Sequence, residues 1–275
     1  LWSNDVAWQE CLYSLTPDVT DWIAAKLKEH CRRDPLQIEE CLICLRLGAT
    51  GTKPEYASVV YFAQEEKLSD LIEEFRGQRL SEDGPRVTVA SPYAYMLRDT
   101  DAVAIAPEAD AFELPEYIVH PNSNTTAGIY QLLNLTDRQR VFTVVFELDD
   151  VKRHADQLFS PETLPVFRRV LNWFGDDVET VAWGVGFDGE SVTSDLIVRP
   201  RAVANASRVA AELLQRLESL PRDLQAACLK MYPATKGFQA LIGRFPAMVE
   251  AFREATIPTI ESRHVRLTTV LPRKA

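Results

Sequence analysis

With 275 residues, 46% of them hydrophobic and 25% charged, the chain has the composition of an ordinary globular protein and is long enough for one large domain or two fused halves. Its formal charge of −10 argues against a nucleic-acid surface: phosphate binding needs a concentrated Lys/Arg face, and the clusters Arg32-Arg33, Arg168-Arg169 and Arg199-Pro200-Arg201 are short. No uninterrupted apolar run reaches the ~18 to 20 residues that cross a bilayer, and no signal peptide is recognisable.

Hydrophobic periodicity and turn residues predict helices at about 6–14, 17–31, 65–76, 150–158, 162–174, 203–219, 222–231 and 237–255. They predict strands at about 38–47, 56–62, 86–90, 101–106, 141–148, 178–188, 192–199 and 263–271. The chain starts at Leu1 rather than Met, inside what reads as the entry to a helix, so a longer natural polypeptide is expected upstream. Pro17 opens a helical pattern of Val19, Trp22, Ile23 and Leu27, and the strand at 38–47 follows. Within it, Cys41 and Cys44 are three apart, which places their side chains on opposite faces of a strand. Redox or zinc chemistry wants them together, so buried, inert cysteine is expected. The five cysteines (Cys11, Cys31, Cys41, Cys44 and Cys228) do not form a compact disulfide framework.

After the loop Gly48 to Pro54 come a second strand and a helix with Leu68, Leu71, Ile72 and Phe75 at helical spacing. Pro107, Pro115, Pro121 and the polar run Asn122 to Thr126 mark the linker between halves. The same order of elements then returns. Ile38 to Leu47 aligns without a gap on Val178 to Phe187, at an offset of 178 − 38 = 140. Upstream of it, Pro161 opens a helical pattern of Leu164, Phe167, Val170 and Leu171. Downstream lie the strand Ser194 to Val198 and a helix with Ala210, Leu213, Leu214 and Leu217, where 213 − 71 = 142. Asp188-Gly189-Glu190 reads as a hairpin turn, making the central pair of the second half antiparallel. A first strand for the first copy, matching 141–148, is expected before Leu1. The chain closes on an apolar helical stripe of Phe238, Leu241, Ile242, Phe245, Val249 and Phe252, with Gly243 and Pro246 as kink positions.

The motifs of the P-loop, dinucleotide-binding, zinc-protease and serine-hydrolase families are absent. Pro233 to Phe238 is the nearest approach to an anion loop, with Lys236 at a helix start. His30, His120, His154 and His264 are scattered, and His120 falls in a loop. Adjacent acids such as Asp149-Asp150 and Asp176-Asp177 point apart and read as helix caps. Asn205-Ala206-Ser207 also reads as a cap, rather than as a glycosylation acceptor.

The phrase Val178-Glu179-Thr180-Val181-Ala182-Trp183-Gly184-Val185 and the closing Gly243-Arg244-Phe245-Pro246 resemble duplicated α+β domains of unknown function in large bacterial membrane-anchored or exported proteins. That resemblance implies an extracytoplasmic setting and an interaction or sensing role, and it carries over no catalytic residues. A cytoplasmic setting is the alternative that the five cysteines keep open.

The expected fold is α+β: two related halves, each an antiparallel sheet with helices packed on one face. The expected boundaries are 1–115 for the first repeat, 116–140 for a linker and connecting helix, and 141–275 for the second repeat with a C-terminal helical insertion. The expected function is a non-enzymatic binding, sensing or structural domain of a larger protein, with a protein or small-molecule partner, no nucleic acid, no cofactor and no metal. The alternative is an enzyme or small-molecule-binding protein with a site between the halves, for which His120, Lys236 and Arg244 are the candidate ligand-binding residues. An oligomeric scaffold is a third possibility, which a self-complementary sheet edge would support.

Overall fold

The computed structural model describes the chain from Cys31 to Pro272, together with Ala25 and Lys28, apart from Thr50, 83–85, Asp99, 120–125, 138–139, Glu162, 189–190, 231–235 and Ser262. The helix expected at 6–14, and nearly all of the one at 17–31, lie outside the described residues. The chain is α+β and falls into two compact units, Leu1–Thr125 and Thr126–Ala275, each built on an antiparallel sheet.

In the first unit, β1 (Ile38–Arg46), β2 (Glu55–Phe62), β3 (Gln78–Arg79), β4 (Val87–Ala90), β5 (Tyr93–Leu97) and β6 (Ala102–Pro107) form a six-stranded sheet in the order β1-β2-β6-β5-β4-β3. Helix α1 (Leu68–Glu74) brings Leu71 and the adjoining Phe75 onto one face, where they meet Val60, Phe62, Tyr95, Val103 and Ile105. The other face is rich in alanine. Ala94, Ala104 and Ala106 pack there with Val87 and Met96 beneath Leu114 of α2 (Leu114–Val119).

The second unit contains α3 (Ala127–Leu133), β7 (Phe142–Glu147), α4 (Leu148–Arg153), α5 (Ala155–Leu158), α6 (Leu164–Trp173), β8 (Val178–Asp188), β9 (Ser191–Pro200), α7 (Ala206–Cys228), α8 (Lys236–Glu254), β10 (Thr256–Glu261) and β11 (His264–Pro272). Its five strands run β10-β11-β9-β8-β7. The main core lies on one face, where Leu148, Leu171, Phe174, Leu213 and Leu217 cover Val178, Val181, Val198, Val265 and Leu267. Helix α3 sits on the opposite face, with Leu132 against Ala182 and Ile197. Helices therefore cover both faces of each sheet, more than the one-faced arrangement expected. The alternating strands carry apolar residues on both parities, and each face needs a cover.

The helices expected at 203–219 and 222–231 are one helix, α7, which runs through Pro221. A proline costs a backbone hydrogen bond inside a helix. Leu217, Pro221 and Leu224 are all buried, so one face of α7 stays packed across the interruption.

The two sheets share a strand order. A hairpin (β1-β2 or β8-β9) is followed by a helix, and the last strand of the unit then pairs beside the second hairpin strand with its predecessor outside it: β1-β2-β6-β5 against β8-β9-β11-β10. In both hairpins two residues oppose one at the same place. Ile38 and Glu40 face Phe62 and Tyr61, and Val178 and Thr180 face Pro200 and Arg199, so the bulges fall at Glu39 and Glu179, offset by 179 − 39 = 140. Val60 pairs with Val103 as Val198 pairs with Val265, and all four are buried.

Candidate functional site

Strand β1 ends the first sheet. Beyond its pairing with β2, no strand adjoins its outer side among the described residues. An edge strand presents alternate N–H and C=O groups outward, a template for another strand. On one face Cys41, Ile43 and Leu45 pair with Val60, Ser58 and Tyr56; on the other, Leu42 and Cys44 pair with Val59 and Ala57. Leu42, Ile43 and Leu45 remain 52%, 49% and 48% exposed, so the edge is apolar on both faces. Two other sheet ends are poorer templates: β3 has two residues, and β10 carries Pro258, which lacks an N–H.

Both ends of β1 are anchored. At its start the Arg33 guanidinium, 3% exposed, donates to Glu66 at 2.6 and 3.0 Å and lies 2.6 Å from Glu74 Oε2. Its Cζ sits 4.5 Å from the ring centroid of Phe62, the cross-strand partner of Ile38. Burial holds the Glu74 carboxyl above its ordinary range despite that neighbour. Arg32, at φ 55°, turns the chain so that its own guanidinium lies 4.4 Å over the Tyr95 ring. Cys31, fully buried, is hydrogen-bonded to Cys41 on β1. That bond and burial push the Cys31 thiol up, while the same bond draws the Cys41 thiol down. At the far end Arg46 Nε donates to Glu55 Oε2 at 2.7 Å, and Arg46 Nη2 lies 2.9 Å from Asp110 Oδ2.

The corresponding edge of the second sheet is filled. Strand β7 pairs with Thr180 to Val185, which at the offset of 140 correspond to Glu40 to Leu45. Phe142 of β7 packs edge-to-face on Trp183 with ring centroids 5.8 Å apart, and Trp183 Nε1 donates to Ser194 Oγ at 2.9 Å. At the other end of β7 the Glu147 carboxylate accepts from Thr126 at 2.5 Å and from Thr180 at 3.0 Å. Gly128 lets α3 approach this cluster. A Cβ there would fall 2.3 Å from Thr180 Oγ1, 2.8 Å from Glu147 Oε1 and 2.9 Å from Arg199 Nη1. On the same face Arg140 lies over Gly184 and Gly186 and bonds to Thr193 and Asp195, and Asp195 also accepts from Thr268 at 2.8 Å. These charges are spent on one another, which is the pattern of a structural network rather than of a site waiting for substrate.

His120 lies outside the described residues. Lys236 opens α8, and its side chain also lies outside them. Arg244 is exposed on the same helix, eight residues on, about 12 Å along the axis at 1.5 Å per residue. Among the described residues no group of three or more His, Cys, Asp or Glu could hold a metal ion, and no helix is long and apolar enough to cross a membrane. Cys41 and Cys44 lie apart on β1 as the spacing requires, but Cys44 is exposed rather than buried, because the sheet ends there. Asn205 is a helix cap, its Oδ1 accepting from the N–H groups of Ser207 and Arg208 at 2.9 and 3.2 Å. The residues that sequence reasoning passed over are those of the β1 edge. Their signal is the unbroken apolar run from Cys41 to Leu45, too apolar for an edge strand that faces water.

No protein-family model and no curated protein matches the chain. Among solved structures, crystal form I of TP0453 matches with a TM-score of 0.37 and 7% identity, covering 81% of this chain and 76% of that one. A likeness at that level carries no argument about fold or function.

Proposed function

We propose that the chain is a non-enzymatic interaction domain of a larger protein, and that its first sheet takes up an extended strand from a protein partner along β1. The observation that carries this reading is the outer side of β1, which no strand pairs among the described residues, apolar on both faces, at the place where β7 adjoins the second sheet. The strand that fits is apolar in its middle, with a base to meet Glu40 and an acid to meet Arg46. Main-chain hydrogen bonds supply affinity and the flanking side chains supply register. Each such bond contributes about 0.5–1.5 kcal/mol net, and association costs several kcal/mol, so binding on the order of micromolar is expected.

The two units are proposed to be copies of one ancestral sheet. The common strand order, the bulges at Glu39 and Glu179 and the matched valine pairs support this, since bulges persist within families. An extracytoplasmic or membrane-anchored setting is proposed from the resemblance of Val178 to Val185 and Gly243 to Pro246 alone.

The test is a titration of the chain into a fluorescent peptide with the sequence of residues 38–46, its cysteines replaced by serine, read by anisotropy. Saturable binding that Ile43→Lys abolishes is the expected result. No binding, or binding that Ile43→Lys leaves unchanged, removes β1 as the receiving edge.

A further inference from the structure

We infer that the strand received by β1 is the β1 of a second copy of this chain, joined antiparallel about a twofold axis that passes through Ile43. This rests on the strand-accepting reading above and names the partner. The argument starts from the regular part of β1. The bulge at Glu39 ends it on one side and Arg46 ends it on the other, which leaves the seven residues Glu40 to Arg46 with Ile43 at their centre. A twofold axis perpendicular to a sheet keeps each face on its own side, so only residues of equal parity can lie opposite one another. With Ile43 on the axis, Glu40 faces Arg46 of the second copy, Cys41 faces Leu45, and Leu42 faces Cys44. Two opposite-charge pairs then flank a wholly apolar middle, and both faces of the strand are matched at once. The segment thus carries its acid and its base at the two positions that self-pairing brings together. The register one step away places Glu39 against Leu45 and Glu40 against Cys44, and matches no charge.

Existing contacts leave this pairing open. Arg46 is held towards Glu55 and Asp110, yet its side chain is half-exposed, and Glu40 is exposed. The pairing joins strand edges alone, which is less than a standard interface buries, so a reversible dimer is expected rather than an obligate one.

The experiment is sedimentation equilibrium of the full chain over a range of micromolar concentrations. The chain is compared with Ile43→Lys, Ile43→Glu and an equimolar mixture of those two variants, with circular dichroism melts as the control for folding. The expected result is reversible association to twice the chain mass, and for each single variant a dissociation constant raised by about tenfold or more, because like charges meet on the axis. The mixture is expected to regain association, since position 43 then faces an opposite charge. Glu40→Arg, which sets arginine against arginine at both ends, is a second dissociating variant should either change at Ile43 impair folding. A wild-type chain that stays single but binds the β1 peptide overturns the second copy and leaves strand acceptance standing, with the occupant supplied by another protein or by another part of a longer polypeptide. A single chain that binds no peptide overturns both. A dimer indifferent to Ile43→Lys, Ile43→Glu and Glu40→Arg overturns the inference by placing self-association elsewhere.

Discussion

Strands β1 and β8 occupy the same place in their sheets, carry a bulge at the same offset and differ mainly in what lies beside them. β8 has β7 along Thr180 to Val185, and its side chains have adjusted to that neighbour. Ala182, Gly184 and Gly186 make room for α3 and Arg140, while Phe142 packs edge-to-face on Trp183, which stays 41% exposed. β1 keeps Leu42, Ile43, Cys44 and Leu45 over the corresponding stretch, with no strand beside their outer edge among the described residues. Two similar frames therefore separate what both sheets share from what differs at their edges. The common parts are the bulge and the helix-covered core, and the divergent part is the outer side of the hairpin.

The comparison is broken most severely through the shared core. Leu71 and Leu213 each belong to the helix that follows the hairpin, and both are fully buried against the sheet. Leu71→Ala and Leu213→Ala are each expected to cost about 3 kcal/mol in urea unfolding of the full chain, within the usual range for buried leucine. A loss below about 0.5 kcal/mol for either would show that the two positions do not do the same work. Next comes Gly128→Ala, whose Cβ would collide with the Thr180, Glu147 and Arg199 cluster. It is expected to cost about 1–3 kcal/mol and to speed hydrogen exchange in β7, the strand without a counterpart at β1 among the described residues.

A smaller effect compares Trp183 with Ile43 directly. Trp183→Ala loses an aromatic contact and a hydrogen bond and is expected to cost about 2 kcal/mol. Ile43→Ala, at a half-exposed edge, is expected to cost about 0.5 kcal/mol when measured on the dissociated chain. The smallest effect concerns reactivity rather than stability. Because the Cys31 hydrogen bond lowers the Cys41 pKa, the folded state holds more Cys41 thiolate than the unfolded chain at pH values between the lowered pKa and the ordinary thiol value. The stabilisation from Cys41 is therefore lost as pH falls through the folded pKa. Cys31→Ala should slow iodoacetamide labelling of Cys41 in that window while leaving Cys44 unchanged, as followed by peptide mass spectrometry.

Apolar runs and the turn residues that bound them located the ends of β1, β2, β8, β9 and β11 to within a residue or so. The bulges were invisible, since a bulge is a relation between two strands and Glu39 looks like any strand residue. β10 was missed because Pro258 weakens its strand signal, for the same physical reason that it suits a sheet edge. α3 is only seven residues long and contains Gly128, and its capping by Thr126 became legible only with the fold. The edge itself was hidden by composition. A run apolar on both parities reads as a central strand, and only the strand order shows that β1 has a neighbour on one side. His120, Lys236 and Arg244 were singled out for the chemistry of their side chains, which carries no information about convergence in space.

The brevity of β3 limits how far the first sheet can grow. A sheet with two long open edges can add strands at both and lengthen into a fibre, one layer after another. Here the edge opposite β1 is two residues long, too short to template a further strand. On the proposed strand addition at β1, the described residues leave the first sheet no second long edge, and growth through it is expected to stop after a single addition.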